Sequence, residues 1–302
     1  MNNRILEFIK DQKNHRQRLT ALLLLFAVLV FFLWPVSSYR IKGGESLRVF
    51  SSEGFMLREF SSSEDGGYEI WLKLADFPGF IVEGTLAAED RRFYLHPGFD
   101  LPAIARSALQ NIAAWKIVSG GSTITQQLVR IAYADHLPRN PFLKKMAEII
   151  LAFRLEIHFS KNEILESYLN RVPMKFNQNG LPAASRRIFG RDIRFISRDE
   201  GTALIVLIRE NQASRENFRR RYNTFLKKVW KTDGGNISGI EENIFRKGGY
   251  TYTESSSGTL HFEQFIRSLK KDAGGDVHTA LSGNLNYEIR KIITPELRFL
   301  SP

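Results

Sequence analysis

The chain has 302 residues, of which 43% are hydrophobic and 25% charged, a composition typical of folded proteins and unlike that of disordered ones. Its 43 Lys and Arg residues outnumber 32 Asp and Glu residues, and the formal net charge of +11 favours anionic partners. The absence of Cys excludes disulfides, thiolate zinc sites and cysteine nucleophiles. The six His residues are scattered, which argues against a metal cage built on His.

An uncharged apolar run extends from Leu19 to Val36. It is close to the lower limit of about 17 residues for a membrane-spanning helix, and Trp34 closes it where an interfacial aromatic is expected. Because basic residues dominate positions 1–18, the positive-inside rule predicts a cytoplasmic tail at 1–18, a single-pass signal anchor at 19–36 and an exported remainder. A cleaved signal peptide and a buried core helix are the alternatives. Export makes nucleic acid a poor partner and favours lipid head groups or a pyrophosphate-bearing substrate.

Residues 37–74 are predicted to form a β-rich stalk, because SLRVFSSEGFMLREF alternates in hydropathy around Glu53-Gly54 like a hairpin. The aromatic side chains of Trp71, Phe77 and Phe80 follow or close this stalk. We expect them either to enter a membrane interface or to pack in the core.

The hydrophobic periodicity is helical from Asp76 to about Glu210, which predicts one compact helical domain at 75–215. Helix start signals support this prediction, and they occur at Asp100, Thr123, Asn140 and Ser160. Residues 216–302 combine a basic stretch, Gly pairs and short alternating runs. They predict a small linker or appendage of mixed structure.

Two segments of this domain carry residues suited to catalysis or anion binding. Glu89 begins the sequence EDRRF at the edge of a helix, where a carboxylate can be partly desolvated and still reach a substrate as a general base. The sequence GGSTITQQ combines glycines with a hydroxyl-rich helix start, which suits a phosphate. The alternatives are a surface salt-bridge cluster for the first segment and an ordinary capping box for the second.

Two further segments place charged residues at helical spacing. Lys144 and Lys145 precede Glu148 by four and three residues, so two cations and a carboxylate share one side of a helix. Glu166 and Asn170 are one helical turn apart in KNEILESYLN. Each segment taken singly is compatible with a structural role.

In chain order, four segments resemble the successive motifs of glycosyltransferase family 51: EDRRFYLHPGFD, GGSTITQQLVR, KKMAE and KNEILESYLN. This family comprises the peptidoglycan glycosyltransferase domain of class A penicillin-binding proteins and the monofunctional transglycosylases. The resemblance covers about residues 75–210, and the flanking sequences look like those of the 1C type, in which a transpeptidase domain would begin near Pro302. It implies a mostly α, lysozyme-like two-lobed domain with one N-terminal transmembrane helix and small β-containing flanking segments.

The resemblance also implies an activity and a location. Family members polymerise lipid II into glycan strands with inversion, and they release undecaprenyl pyrophosphate. The expected partners are therefore lipid II, the growing glycan held as an undecaprenyl pyrophosphate, the membrane and proteins of wall synthesis. The expected location is the bacterial cytoplasmic membrane, with the catalytic domain on its outer side.

The family's functional residues map onto this chain motif by motif. Glu89 matches the catalytic base, and Asp90 matches the neighbour that helps to set its charge and position. Glu148 matches the second carboxylate, which acts with Lys145 on the pyrophosphate directly or through a divalent metal, Mg²⁺ or Mn²⁺, near Glu148. The expected substrate-binding or cleft-supporting residues are Asp90, Ser122, Thr123, Gln126, Gln127, Arg130, Lys144, Lys145, Glu166 and Asn170.

The chain departs from the family pattern at several positions. Ile131 stands where the family usually has Asn, Lys175 and Phe176 stand where it usually has an aromatic and glycines, and VLIRENQAS lacks a usual proline. Lys144 stands where Arg is usual, and it keeps the charge without the bidentate geometry. These changes leave open a catalytically weak or inactive scaffold that binds lipid II. A lysozyme-like hydrolase is a third hypothesis.

Overall fold

The computed structural model describes residues 18, 20, 22–23, 26–34, 36, 41, 68–115, 121–209, 214–232, 235 and 237–246, without the side chains of 108 and 111, and the backbone alone of 47–50, 56–60 and 276–278. The predicted cytoplasmic tail up to residue 17 and most of the predicted appendage after residue 246 lie outside the described residues. The described part is mostly helical and contains two small sheets.

Only part of the predicted membrane anchor is described. Residues 26–33 are helical and mostly exposed, whereas positions 19, 21, 24, 25 and 35 lie outside the described residues. Within the described part of the chain, no helix combines the length and the apolar character needed to cross a membrane.

The strands are β1 (Leu47–Phe50), β2 (Met56–Phe60), β3 (Tyr68–Glu69), β4 (Gln178–Asn179) and β5 (Asp276–His278). β1 pairs with β2 in antiparallel fashion, which confirms the predicted hairpin pairing. β5 adds to the other edge of β1 in parallel, so the order of this sheet is β2-β1-β5. β3 and β4 form a separate parallel pair.

The helices are α1 (Gly79–Glu89), α2 (Leu101–Ala114), α3 (Ile124–Ala132), α4 (Pro141–His158), α5 (Lys161–Arg171), α6 (Leu181–Phe189), α7 (Arg198–Arg209), α8 (Arg215–Phe225), which continues as a π-helical turn at Leu226–Trp230, and α9 (Ser238–Phe245). The predicted start signals are confirmed. Thr123 and Ser160 form capping boxes at α3 and α5, and Asp100 and Asn140 cap α2 and α4 through their carboxylate and amide oxygens.

Packing in the core fixes the relative positions of α1, α3 and α7. α3 packs between α4 and α5, and α1 packs against α7. Leu128 on α3 and Tyr168 on α5 are fully buried, and each large apolar side chain buried in this way contributes about 1.5–3 kcal/mol. This packing fixes the C-terminal end of α1 beside α3 and α7.

The packed body continues past α7. α8 packs against α7, and its buried Tyr222 donates a hydrogen bond to Asp199 (3.0 Å). Lys175 lies over the ring of Phe245 at 4.3 Å, which connects the turn before β4 to α9. Burial lowers the pKa of Lys175.

The three aromatic residues near the predicted stalk pack inside the protein. Phe77 is buried, Phe80 packs against the core and the Trp71 indole donates to Glu166 (3.1 Å). Core packing is therefore confirmed for Phe77, whereas Trp71 and Phe80 are half-buried and their entry into a membrane interface stays a prediction. Exposed apolar side chains lie instead along α2 and α4.

Candidate functional site

Glu89 is the last residue of α1, and its side chain is 1% exposed. Its two carboxylate oxygens have different partners. Oε1 accepts a hydrogen bond from Nε of Arg209 on α7 (2.8 Å), and Oε2 accepts one from the amide of Gln127 on α3 (2.9 Å). The packing of α1 against both helices therefore produces a buried, oriented carboxylate of the kind that a general base requires.

A second layer of contacts orients Gln127. Its amide oxygen accepts a hydrogen bond from the hydroxyl of Tyr168 on α5 (3.1 Å). Burial raises the pKa of Tyr168 well above its usual value, and the charge of Glu89 adds to this effect. Tyr168 therefore remains a hydrogen-bond donor, which leaves the Gln127 amide group directed at Glu89.

Asp90 is buried beside Glu89 but serves a different part of the structure. Its carboxylate contacts Nε2 of His96 (3.0 Å) and accepts a hydrogen bond from the backbone N–H of Ile124 (3.1 Å). The structure therefore directs Asp90 to the 96–100 turn and the start of α3 rather than to Glu89.

Glu148 lies in the middle of α4, and its side chain is 3% exposed. It accepts two hydrogen bonds from Arg130 on α3, with Nε at 2.9 Å from Oε1 and Nη2 at 3.1 Å from Oε2. The ammonium of Lys145 lies 3.3 Å from Oε2. The guanidinium and the ammonium are roughly half exposed, so they present positive charge at the surface around a buried carboxylate.

Lys145 also connects this cluster to the start of α3. Its Nζ donates to Oγ of Ser122 (2.8 Å) and to the amide oxygen of Gln126 (2.9 Å). The amide nitrogen of Gln126 is buried and has no hydrogen-bond partner among the described residues. The predicted binding residues Ser122, Gln126, Arg130, Lys145 and Glu148 therefore form one cluster.

The charges of this cluster shift one another's ionisation. Burial raises the pKa of Glu148, but the hydrogen bonds and charges of Arg130 and Lys145 outweigh burial, and the net shift is downward. Burial lowers the pKa of Lys145 more than Glu148 raises it. The Glu148 carboxylate is therefore ionised at neutral pH.

Of the remaining predicted residues, Thr123 reaches this cluster through its backbone N–H, which donates to the amide oxygen of Gln126 (3.3 Å). Thr123 is buried and donates to the carbonyl oxygen of Gly98 (2.7 Å). Lys144 forms no ion pair with any described residue. The carboxylate of Glu166 accepts a hydrogen bond from the backbone N–H of Leu74 (2.8 Å). The Asn170 side chain accepts a hydrogen bond from the backbone N–H of Leu72 and donates one to its carbonyl oxygen. Glu166 and Asn170 thus fasten the segment before α1 to α5.

α3 is the element that joins the two charged groups. Gln127 contacts Glu89, whereas Gln126 and Arg130 reach the Lys145–Glu148 cluster. α3 has nine residues, so both groups lie along a helix of about 14 Å. The candidate base and the cationic cluster are therefore both contacted by residues of one short helix.

The residues near Glu148 do not form a metal cage by themselves. No group of three His, Cys, Asp or Glu side chains that could hold a metal ion occurs among the described residues. Both oxygens of Glu148 are occupied by cationic side chains. A divalent ion at this position would have to take most of its ligands from substrate oxygens and water.

Where the chain lacks the family's usual glycines, the backbone still follows a left-handed path. Phe176 has φ 59° and Asn177 has φ 57°, in a region that side chains other than Gly and Asn disfavour. Ile131 packs against the core. These departures lie away from the carboxylates of Glu89 and Glu148.

Sequence reasoning missed two partners of the candidate base. Arg209 ends an apolar helix, and a basic residue at that position is typical of an ordinary helix C-terminus. Tyr168, which orients Gln127, has the spacing of a core residue and is fully buried. Sequence spacing gives no signal for the contact of Arg209 with Glu89 or of Tyr168 with Gln127. Both contacts depend on how α1, α3, α5 and α7 pack.

Comparison with known proteins supports the motif assignment. The sequence model of the transglycosylase family matches residues 54–230. Penicillin-binding protein 1A of Neisseria gonorrhoeae is 27% identical over 236 residues, which are 75% of this chain and 27% of that protein. Penicillin-binding protein 2D of Bacillus subtilis is 35% identical over 184 residues, which are 59% of this chain and 26% of that protein. The chain spans about a quarter of the length of these relatives.

Among solved structures, the crystal structure of penicillin-binding protein 1A from Haemophilus influenzae aligns with 80% of this chain and 28% of that chain, at a TM-score of 0.36 and 14% identity. The family match covers more than half of the present chain and includes all four motifs, from Glu89 to Asn170. The chain therefore belongs to the transglycosylase family, glycosyltransferase family 51.

Proposed function

We propose that this protein is a peptidoglycan glycosyltransferase that polymerises lipid II. The observation that carries the proposal is the arrangement along α3, where Gln127 contacts the buried Glu89 carboxylate and Arg130 contacts the carboxylate of the Lys145–Glu148 cluster. Glycosyl transfer from a pyrophosphate needs both parts, a base for the acceptor hydroxyl and cations for the leaving group.

In the proposed reaction, Glu89 accepts the proton of the acceptor's 4-hydroxyl as that oxygen attacks the anomeric carbon of the donor. The new glycosidic bond forms as the bond to the pyrophosphate oxygen breaks, so the anomeric centre inverts. Arg130 and Lys145 compensate the negative charge that accumulates on the undecaprenyl pyrophosphate as it leaves. Gln127 keeps the Glu89 carboxylate oriented toward the acceptor.

The buried Glu148 has a supporting role in this scheme. Its carboxylate holds Arg130 by two hydrogen bonds and Lys145 by one, which fixes the spacing of the two cations before substrate arrives. Cations held in this way do not have to be ordered when the pyrophosphate binds. If Mg²⁺ or Mn²⁺ takes part, it would supply additional positive charge between Glu148 and the pyrophosphate.

We further propose that the protein works at the bacterial cytoplasmic membrane, with the catalytic domain on the outer side. Four apolar side chains of α2 and the turn after it are exposed: Leu101, Leu109, Ile112 and Trp115. Phe142 and Met146 on α4 are also exposed. A surface of this kind is typical of a membrane contact, and it lies on helices that flank the site.

The direct test is polymerisation of labelled lipid II by the purified protein in detergent, with and without Mg²⁺ or Mn²⁺. Long glycan strands are the expected product. Binding of lipid II without polymer would indicate the scaffold hypothesis. Release of short fragments from purified cell wall would indicate a hydrolase, and either result would contradict the proposal.

A further inference from the structure

A buried polar network joins the start of α3 to α4 and α5, and the proposed reaction makes no use of it. Its centre is Glu156, in the last turn of α4, whose side chain is 8% exposed. Oε1 of Glu156 accepts hydrogen bonds from the hydroxyl of Thr125 on α3 (2.6 Å) and from the ammonium of Lys161, the first residue of α5 (2.8 Å). One carboxylate oxygen therefore connects three helices.

Lys161 extends this network to the turn that follows Glu89. Its Nζ donates to the backbone carbonyl oxygen of His96 (2.6 Å) and lies 4.5 Å from the ring centre of the buried Phe93. Charges that are removed from water need well-aligned partners, so a network of this kind favours one arrangement of the elements that supply those partners. The turn after α1 is therefore held against the corner between α4 and α5.

The same turn packs closely on α4 beside Glu156. Gly98 has φ 87°, and a Cβ atom there would lie 2.8 Å from the backbone of Ala152 and 3.1 Å from Cγ of Glu156. The carbonyl oxygen of Gly98 accepts the hydroxyl hydrogen bond of Thr123, the cap of α3. The start of α3 is therefore attached at two points, through Thr123 to the turn and through Thr125 to Glu156.

The first turn of α3 carries the contacts that the proposed reaction requires. Gln127 donates to Glu89 (2.9 Å), and Gln126 accepts from Lys145 (2.9 Å). The first N–H groups of a helix lack partners within the helix, so side-chain contacts decide how firmly a first turn is held. Loss of the Thr125 contact would let Gln127 shift relative to the base, and small displacements of this kind have large effects on rate.

We propose that Glu156 is a positioning residue for glycosyl transfer. Through Thr125 it holds the first turn of α3, and thereby keeps Gln127 in the place from which it orients Glu89. Glu156 acts through these two side chains and does not contact the substrate. Its effect on the reaction rests on the proposed function, whereas its hold on α3 does not.

Thr125→Val is the variant that isolates this contact. It removes the hydroxyl, keeps the branched side chain and leaves Glu156 paired with Lys161, whereas Glu156→Ala would leave a half-buried ammonium without its carboxylate. Thr85→Val is the matched control. Thr85 is also fully buried, on α1, and its hydroxyl has no hydrogen-bond partner among the described residues.

Amide hydrogen exchange of the full chain tests the hold on α3 without requiring activity. Thr125→Val is expected to speed up exchange in α3 by about tenfold or more and to leave exchange in α8 unchanged. Thr125→Ser, which keeps the hydroxyl, should restore the wild-type rate in α3, and Thr85→Val should not alter it. If α3 exchanges in Thr125→Val as it does in the wild type, or if Thr85→Val has the same effect, the inference is wrong.

Steady-state kinetics with lipid II then test the effect on the base. Thr125→Val should lower kcat by about tenfold and leave KM within about twofold, while Thr125→Ser and Thr85→Val stay within about twofold of the wild type in both constants. In a Gln127→Ala background, Thr125→Val should lower kcat by less than about twofold further, because the side chain that transmits the effect is absent.

Independent losses of kcat from Thr125→Val and Gln127→Ala would contradict the positioning role, since a purely structural contact lowers activity whether or not Gln127 is present. A loss that Thr125→Ser does not restore would contradict it as well. A wild type that forms no glycan would contradict the proposed function alone, because hydrogen exchange still decides whether Glu156 holds α3.

Discussion

At the scale of single residues, the orientation of Glu89 depends on one neutral side chain. Gln127 donates to Glu89 and accepts from Tyr168, so it transmits the position of the fully buried α5 tyrosine to the candidate base. A base that reacts with a hydroxyl must be placed within hydrogen-bonding reach of it, and small displacements have large effects on rate.

We expect Gln127→Ala to lower kcat for lipid II polymerisation by about tenfold to a hundredfold, because Glu89 loses the partner on Oε2. Tyr168→Phe should cause a smaller loss, since it removes the hydroxyl that orients Gln127 and keeps the ring. KM should change little in both variants. An effect of Gln127→Ala on KM alone would show that Gln127 binds substrate instead of positioning the base.

The lowered pKa of Glu148 predicts that the stability of the fold depends on pH. The folded-state pKa of Glu148 lies below its usual value of 4.5, so the ionised side chain stabilises the fold above that pH. This contribution is lost as the pH falls through the folded-state pKa, when the carboxylate becomes protonated beside Arg130 and Lys145.

The difference in unfolding free energy between wild type and Glu148→Gln should therefore be constant near neutral pH and shrink as the pH falls below about 4.5. Urea unfolding at a series of pH values measures it. Glu242→Gln, which changes an exposed carboxylate on α9, serves as the control for general acid effects. A difference that persists undiminished to pH 3 would contradict the ion pairing described for Glu148.

Some residues of the site can be predicted from the sequence and others cannot. Glu89, Lys145 and Glu148 were identifiable because they lie inside motifs whose order is specific. Arg209 was not, because its contact with Glu89 joins residues 120 positions apart and arises only from the packing of α7 on α1. The hydrogen bond of Asp90 to His96 was not predictable from sequence, and the effect of Asp90 on Glu89 stays a prediction.

At the scale of secondary structure elements, the junction between α5 and α6 is the most constrained part of the fold. Gly180 has φ 84°, and its N–H donates to the carbonyl oxygen of Val172 (2.8 Å). A Cβ atom at this position would collide with the backbone carbonyl of Asn170. Asn170 in turn holds the segment before α1, so a shift here reaches the element that carries Glu89.

Gly180→Ala should lower the unfolding free energy by about 2 kcal/mol or more, because it combines a left-handed backbone with a steric clash. Gly239→Ala is the matched control, since no atom lies within 4 Å of the corresponding Cβ on α9. That variant should be as stable as the wild type or gain up to about 1 kcal/mol. Equal stability of both variants in urea unfolding would show that the turn relaxes more easily than the structure indicates.

The elements themselves were largely predictable from sequence. The helix starts at Asp100, Thr123, Asn140 and Ser160 follow from local hydrogen bonding between a side chain and the next turn, so no tertiary information is needed. The π-helical turn at Leu226–Trp230 and the left-handed Phe176 were not predictable. Both conformations are locally unfavourable and are maintained by packing against the rest of the molecule.

At the scale of the whole molecule, the net charge of +11 and the exposed apolar side chains of α2 and α4 both favour binding to a membrane. Apolar side chains insert below the head groups, while basic residues attract anionic lipid. We expect a protein bound in this way to meet lipid-linked phosphates at the membrane surface.

We expect Ile112→Glu to weaken binding of the protein to phosphatidylglycerol vesicles by about tenfold or more, because it replaces a 69% exposed apolar side chain with a charge. Gln110→Glu adds the same charge to the exposed, polar part of the same helix and should have little effect. Vesicle sedimentation measures both. If the two variants lose affinity equally, charge rather than the apolar surface governs membrane binding.

The measurement that tests the central claim most directly is the polymerisation rate of labelled lipid II by Glu89→Gln beside the wild type. Glu83→Gln, which changes an exposed carboxylate of the same helix, provides the control, and urea unfolding confirms that each variant folds. We expect Glu89→Gln to lower kcat by at least about a hundredfold and Glu83→Gln to stay within about twofold of the wild type. A folded Glu89→Gln variant that polymerises lipid II at the wild-type rate would show that Glu89 is not the base.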